Sequence, residues 1–367
     1  MNAARLREIL DKLSRENSFL RIGKLLGAVQ SAVSNLVSSP TDSGHQQQYV
    51  TSLGALREGT NKLRAAFEPP EIAQIEDLTG GREYLSDVAQ QISDWMAENP
   101  ATPAIVLDNI SKLVEARNQF MTLVTQGSST LKELGIEVYE LEPGEAEIGF
   151  LLPRGLFDNE FDKLLKELNA LKRTIRAFSE AATGSVEPIV VKQISTTDPL
   201  FTFAMNAATI MMIGRVAKWA IDAWKTVEEI RNLRAQTAQL KAPAAAKIEA
   251  TFEEVIKQTI EDALSGKLEE IMKSLNGDGH RKHEQKTDLD WALRSIMSRV
   301  ERGMVVEIRM LPPPVSAVDD PNIEVEPPQT RAMREVAKSL TFPPMKGEPI
   351  LQIPSLREKK GEHSEGG

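Results

Sequence analysis

We expect the chain to be organised around residues 198–240, which read DPLFTFAMNAATIMMIGRVAKWAIDAWKTVEEIRNLRAQTAQL. The first part, residues 199–214, contains sixteen uncharged residues, and a charged segment follows. An Asp side chain accepts hydrogen bonds from the first helical turn, and proline already has helical φ, so Asp198-Pro199 predicts a helix that begins at Pro199. Its first half is apolar on all sides, which is typical of a helix that is fully buried or lies in lipid.

The second half of this segment is amphipathic. From Ile213 the apolar residues alternate in steps of three and four, which indicates packing along another helix: Ile213, Val216, Ala220, Ala223, Val227 and Ile230. A membrane-spanning helix needs about 18 or more apolar residues with few charges. Because Arg215, Lys218 and Asp222 interrupt the run early, the sequence favours a buried core helix over a membrane-inserting one.

The composition is that of a folded protein with an acidic surface. At 367 residues the chain is long enough for two or three domains, and its hydrophobic content of 41% is ordinary. Its net charge of -9 argues against a general nucleic-acid-binding protein, which needs a basic face to neutralise phosphates. The N-terminal apolar residues are interrupted by Arg21 and Lys24, so we expect no signal peptide and a cytoplasmic location.

No motif in the sequence identifies a reaction. The absence of cysteine excludes disulfides, thiolate nucleophiles and iron–sulfur clusters. The cluster of His280 and His283 with nearby acids is a candidate metal site, but it lies beside Arg281 and Lys282 in a polar segment, so we expect a solvated loop and no metal. Neither a G-x-S-x-G pattern nor a phosphate-binding loop is present. We therefore predict no catalytic residues and no cofactor, and leave enzyme activity as an unsupported possibility.

Residues 1–135 are predicted to form an antiparallel helical bundle. Helical periodicity covers residues 3–37, in two pieces that meet around residues 14–18, and residues 43–67, with further helices after Gly80-Gly81 and after Pro103. The helix over 43–67 has a heptad seam that consists of Tyr49, Leu53, Leu56, Thr60, Leu63 and Phe67. Short connections between such helices favour antiparallel neighbours.

Residues 136–311 are predicted to form a mixed α+β domain. Strands are expected at about 136–141, 146–152, 187–194 and 304–311, the first two as a hairpin. Between the second and third strands lies the most regular heptad: Phe157, Phe161, Leu164, Leu168, Leu171, Ile175, Phe178 and Ala182. Strand, helix and strand in this order indicate a parallel crossover, and Pro188 favours an edge position for the third strand. The helix from Pro199 and a second helix from Ile248 are expected to pair as a hairpin over this small sheet.

The C-terminal segment, residues 312–367, is rich in proline. Ten of the twenty prolines lie there, so we predict a mostly extended or disordered tail that a short helix around residues 330–340 interrupts.

Two groups of residues are candidate contact sites. The apolar segment supplies a partner or membrane surface, for which the predicted residues are Phe201, Phe203, Met205, Met211, Met212, Trp219 and Trp224. Ser195, Thr196 and Thr197 lie at the predicted strand-to-helix corner, where N–H groups can bind an anion or a small ligand. A simple helix cap is the favoured interpretation of this corner, since Asp198 would repel an anion.

These features predict a non-catalytic interaction or assembly protein whose heptad helices pair with copies of itself or with another protein. One alternative is an effector that lays the helix over residues 199–224 on a membrane. A second alternative is ligand or anion binding at residues 195–198.

Overall fold

The fold was analysed in a computed structural model of the chain. The structure describes residues 3–138, 141, 145–195, 199–238, 245–275, 279–310, 327–342 and 349–355. The chain divides into two compact units, Met1–Glu140 and Leu141–Gly367. The first unit is a helical bundle and the second is a mostly helical α+β unit with a small sheet, as the sequence predicted.

The first unit consists of seven helices in its described residues. They are α1 (Ala3–Phe19), α2 (Ile22–Ser38), α3 (Ser43–Ala65), α4 (Pro69–Glu76), α5 (Gly81–Tyr84), α6 (Val88–Glu98) and α7 (Pro103–Glu133). Helices α1 and α7 are antiparallel, because Ser128 on α7 donates to Asp11 on α1, and Arg7 donates to the carbonyl of Ile136 beyond the end of α7. The predicted break within residues 14–18 is wrong: α1 runs through these residues, and the chain bends at Arg21, which has left-handed backbone angles.

The core of the bundle is built from the predicted seams. On α3, Leu56, Thr60 and Leu63 are buried, and Asp42 caps the helix by accepting from the N–H groups of Gly44 and His45. A cation–π contact joins two other helices, since the guanidinium carbon of Arg117 lies 4.1 Å from the ring centre of Tyr84.

The second unit contains a four-stranded sheet and five helices among its described residues. Its elements are β1 (Ala146–Leu151), a short 3-10 helix (Arg154–Leu156), α8 (Phe161–Thr183), β2 (Val190–Ser195), β3 (Leu200–Ala204), α9 (Ala207–Ala238), α10 (Ala245–Ser274), α11 (Gly279–Glu301), β4 (Val305–Met310) and α12 (Pro328–Ser339). Helices α9 and α10 pack against each other, as the predicted hairpin requires.

The strand order is β2-β3-β1-β4, and all neighbouring strands are antiparallel. Strands β1 and β2, which α8 connects, are therefore parallel but not adjacent. Strand β3 lies between them and is antiparallel to both. This is the order of the split βαβ, or ferredoxin-like, motif, with three helices in place of one between β3 and β4. The predicted crossover between parallel strands is thus present, but β1 and β2 are not hydrogen-bonded to each other as neighbours.

The prediction that a helix begins at Pro199 is wrong. Residues 200–204 form β3, and the helix α9 begins at Ala207, where Asn206 accepts from the N–H of Ala208 at 2.8 Å. The reason is that β3 is an inner strand between β1 and β2, with Phe201, Thr202 and Phe203 all buried. A short, mostly apolar run of this kind cannot be distinguished from a buried helix by periodicity alone.

The predicted hairpin of strands at 136–141 and 146–152 is also wrong. Residues 136–138 form no strand, and residues 139 and 140 lie outside the described residues. The neighbours of β1 are instead β3 and β4, which come later in the chain.

The helices cover one face of the sheet. This face carries Ile148, Phe150, Phe201, Phe203, Val306 and Ile308. Gly214 lets α9 approach it closely, since a Cβ at this position would lie 2.6 Å from Ile308 Cδ1. On the opposite face Arg309 pairs with the buried Glu147 across β4 and β1, with Nη1 and Oε1 at 2.6 Å.

Parts of the C-terminal region are ordered. Helix α12 agrees with the short helix predicted around residues 330–340, whereas the packing of residues 349–355 was not predicted. Helix α12 packs against α9 and β4. Residues 349–355, here called the C-terminal strap, lie along α11: Glu301 accepts from the N–H groups of Ile350 and Leu351 at 2.6 and 3.0 Å, and Trp291 donates to the carbonyl of Ser355 at 3.1 Å. The remainder of the predicted tail lies outside the described residues.

Candidate functional site

The outer edge of β2 is the most open part of the sheet. β2 is an edge strand, as Pro188 predicted, and in the described part of the chain no strand pairs with its outer side. Three of its apolar side chains are more than half exposed: Val190 at 51%, Val191 at 53% and Ile194 at 56%. An edge strand presents unpaired N–H and C=O groups along its length, so this strand offers both main-chain and apolar contacts.

A bulge shapes the way this edge presents its side chains. The register between β2 and β3 shifts between Val191 and Gln193, with Lys192 as the extra residue. As a result Val191 lies opposite Phe203 and Ile194 lies opposite Phe201, so both face the helical side of the sheet. Val190, opposite Ala204, faces the other side.

A groove of about 390 Å³ lies between α8 and this edge, and we call it the α8–β2 groove. It is lined by Leu168, Leu171, Lys172, Ile175 and Arg176 of α8, by Glu187, Pro188 and Ile189 before β2, and by Val191, Ile194, Phe201 and Phe203 of the sheet. Its size lies within the range of binding clefts, and its lining is apolar except for three ionisable side chains.

Two of these three side chains, Lys172 and Arg176, belong to α8. The third, Glu187, belongs to the segment before β2. Lys172 and Arg176 are exposed and one helical turn apart, and neither forms an ion pair with any described residue. Their neighbour Arg173 differs, because it pairs with Asp288 at 2.7 Å and its guanidinium carbon lies 4.3 Å from the Trp291 ring centre.

The structure separates the seven apolar residues that were predicted as one contact surface. Phe201 and Phe203 form the floor of the α8–β2 groove, where each is only 7% exposed. Met211 and Trp224 are buried in the core, and Trp224 donates to the carbonyl of Met297 at 2.9 Å. Met205, Met212 and Trp219 are partly buried against the same core. A single surface made of all seven residues is therefore not present.

Trp219 lies in a second, shallower depression between α9 and α10. Arg215, Lys218 and Lys267 also line it, but Asp222 accepts from Lys218, and Glu270 lies 2.7 Å from Lys267. Two of the three lining cations are therefore paired with acids, whereas helices that lie on membranes are rich in Lys and Arg on their polar face. Of the described helices, none is long and apolar enough to cross a membrane.

The prediction of a strand-to-helix corner at residues 195–198 is also wrong. Ser195 is the last residue of β2 and is 5% exposed, but the chain continues into β3 and not into a helix. Helix N–H groups are therefore not available at this position. Thr196 and Thr197 lie outside the described residues.

The histidines weighed as a candidate metal site lie in a helix and not in the expected loop, because α11 begins at Gly279. His283 is exposed on α11, and the side chain of His280 lies outside the described residues. In the part of the chain that the structure describes, no group of three or more His, Asp or Glu side chains is arranged to hold a metal ion.

Sequence reasoning missed Lys172, Arg176 and the exposed side of β2. The heptad on α8 drew attention to Leu171, Ile175 and Phe178, which are buried, and no motif singled out the basic residues between them. The available signal was the combination of Pro188, which indicates an edge strand, with an exposed Val-Val-Lys-Gln-Ile run.

Comparisons with known proteins give no guide to this surface. No protein-family model matches the chain, and no significant match was found among curated proteins or solved structures.

Proposed function

We propose that the chain is a non-catalytic protein-binding protein, and that it binds an extended segment of a partner as a fifth strand on the outer edge of β2. One observation carries this proposal: an edge strand whose outer side pairs with no described strand, and which exposes Val191 and Ile194, runs beside an apolar groove. Strand addition of this kind takes its affinity from main-chain hydrogen bonds and its specificity from side-chain pockets. Both are supplied here within one surface.

The heptad helices are a weaker candidate for the contact with a partner. On α8 the seam residues Leu171, Ile175 and Phe178 are buried in the core where α8 packs on α9 and α11, and on α3 the seam residues Leu56 and Leu63 are buried in the bundle. A coiled coil with another chain would have to remove these side chains from their own core. The edge of β2 needs no such rearrangement, which supports placing the interaction there.

The bulge and Lys192 favour a specific partner over indiscriminate pairing. Bulges and lysines on edge strands oppose uncontrolled strand addition. Lys192 pairs with Glu145 at 2.6 Å and so remains close to its own sheet. A partner must therefore match an interrupted ladder and fill the α8–β2 groove, which a random strand does not do.

A displayed library of eight-residue peptides tests this proposal. Each position is randomised over Val, Ile, Phe, Thr, Ser and Gln, and the library is selected on the full chain. The tightest peptide is then measured by fluorescence polarisation, and hydrogen exchange locates its binding site. We expect protection at residues 190–195 of β2.

Two variants of the same strand provide the matched comparison. Val191→Asp places a charge on the groove side, and Val190→Asp places the same charge on the opposite face at nearly equal exposure. Because a carboxylate is costly to bury in an apolar groove, we expect Val191→Asp to weaken binding about tenfold or more and Val190→Asp to have a much smaller effect. Equal effects of the two variants, or protection that lies elsewhere, would overturn the proposal.

A further inference from the structure

We infer that the partner segment bound at β2 is acidic, with carboxylate side chains that pair with Lys172 and Arg176 beside apolar side chains that fill the α8–β2 groove. This inference rests on the proposed function and adds the chemical class of the partner. It is carried by the charge of the groove's α8 side, which is independent of the strand edge itself.

The two cations are placed where a partner strand would pass. Both line the groove on the same side of α8, four residues apart, so they are separated by about 6 Å along the helix axis. In an extended peptide, side chains on one face recur about every 6.6 Å. Two same-face side chains of an added strand therefore have the spacing of Lys172 and Arg176.

Most other cations around this site already have partners. Arg173 pairs with Asp288 and Lys192 pairs with Glu145, at 2.7 and 2.6 Å. Lys172 and Arg176 have no ion-pair partner in the described residues, although the chain as a whole has a net charge of -9. Two such cations beside an apolar groove favour a ligand that brings both carboxylates and apolar groups.

Glu187 orients the partner. This carboxylate lines the same groove from the segment before β2. An acidic side chain near Glu187 meets a like charge, whereas one directed toward α8 meets Lys172 or Arg176. We therefore expect the carboxylates of the partner to point toward α8.

A second copy of this chain fits the groove less well. Pairing of β2 with the β2 of another copy would bring Lys172 and Arg176 of both copies toward the same interface, and like charges at an interface oppose association. An acidic segment of a different sequence avoids this repulsion. The apolar lining likewise disfavours a purely anionic ligand such as a nucleic-acid backbone.

The experiment compares three eight-residue libraries on the full chain. Each contains Val, Ile, Phe and Thr at every position, with the addition of Asp and Glu, of Lys and Arg, or of Ser and Gln. We expect the acidic library to yield peptides that bind at least about fivefold more tightly than those of the neutral library, and the basic library to yield the weakest. Hydrogen exchange must again place the bound peptides on β2.

Charge reversal tests the named residues. Lys172→Glu and Arg176→Glu should each weaken the selected acidic peptide about tenfold, and the double variant should prefer the basic library. Lys166→Glu is the matched control, because Lys166 is also exposed on α8 but does not line the groove. These exposed substitutions should leave the fold intact, which circular dichroism checks.

The outcomes separate the two proposals. If peptides protect β2 but the acidic library has no advantage, or if Lys166→Glu acts as strongly as Lys172→Glu, the acidic partner is ruled out while strand addition stands. If no library protects β2, strand addition itself fails. Light scattering that shows a stable dimer, which Val191→Asp dissociates, would assign the groove to a second copy and overturn the acidic partner.

Discussion

Arg299 on α11 and Glu167 on α8 form a buried two-pronged ion pair that joins the two helices. Arg299 Nε lies 2.7 Å from Glu167 Oε2, and Nη2 lies 3.2 Å from Oε1. The side chains are only 5% and 8% exposed. The second end of the guanidinium is held by Ser295, whose Oγ accepts from Nη1 at 2.7 Å.

Removing one member of this pair should cost more stability than removing both. Glu167→Ala leaves a buried guanidinium charge without its carboxylate, so we expect a loss of about 3–5 kcal/mol in the free energy of unfolding. Glu167→Leu with Arg299→Met replaces the pair by apolar groups and should recover much of that loss. Urea denaturation of wild type, Glu167→Leu, Arg299→Met and the double variant measures the coupling, and additive losses would contradict this account.

The C-terminal strap should depend on Glu301. Glu301→Ala removes the acceptor for the N–H groups of Ile350 and Leu351, so we expect a loss of about 2–3 kcal/mol. Hydrogen exchange at these two amides should rise strongly in the variant. Glu98→Ala, on the exposed end of α6, is the control and should leave both amides protected.

Glu301 should also make the stability depend on pH. Burial raises the pKa of its carboxyl above the ordinary value of 4.5, and the bonds from Ile350 and Leu351 offset part of this rise. A raised pKa in the folded state gives a contribution to stability that is full below pH 4.5 and is lost as the pH rises through the folded value. Wild type should therefore lose stability relative to Glu301→Gln over this window. Parallel pH profiles in urea denaturation would contradict the assignment.

The phenol of Tyr84 should ionise at a higher pH than an exposed tyrosine. Burial raises the pKa of its phenol to about 12, and the nearby Arg117 opposes this rise. The corresponding contribution to stability is full below pH 10.0 and is lost as the pH rises through about 12. The phenolate absorbance of wild type should therefore contain a component at high pH that Tyr84→Phe lacks. Ionisation of all tyrosines near pH 10.0 in the folded protein would be inconsistent with this burial.

Two glycines should respond in opposite ways to alanine. A Cβ at Gly81 would lie 1.7 Å from the main-chain oxygen of Ile75, so Gly81→Ala should cost about 3 kcal/mol or more. At Gly23, exposed within α2, a Cβ meets nothing within 4 Å, so Gly23→Ala should stabilise by about 0.5–1 kcal/mol. Thermal unfolding distinguishes the two, and a similar shift in both would contradict the geometry at Gly81.

Local signals in the sequence were sufficient for several helices and for three of the four strands. Asp42 caps α3, Pro103 begins α7 and Gly184 ends α8 with left-handed backbone angles, as their residue types indicate. The three predicted strands at 146–152, 187–194 and 304–311 correspond to β1, β2 and β4. Each of these elements is specified by neighbouring residues, so its position follows from the sequence.

The missed features depend on contacts between distant residues. Phe201 and Phe203 are part of a strand because Phe150 and Ile148 of β1 lie opposite them, and nothing in residues 199–214 reveals that partner. The candidate site was missed for the same reason: Lys172 and Val191 are brought together only when α8 folds back over the edge of the sheet.

The strand order has a consequence for biosynthesis. Ala146 at the start of β1 pairs with Met310 at the end of β4, and the chain between them contains every other element of the sheet. A ribosome must therefore release β4 before β1 acquires its second neighbour. Until then β1 is an unprotected apolar edge, and pairing between such distant segments is intrinsically slow. The nascent second unit is thus most prone to aggregation late in translation, just before β4 emerges.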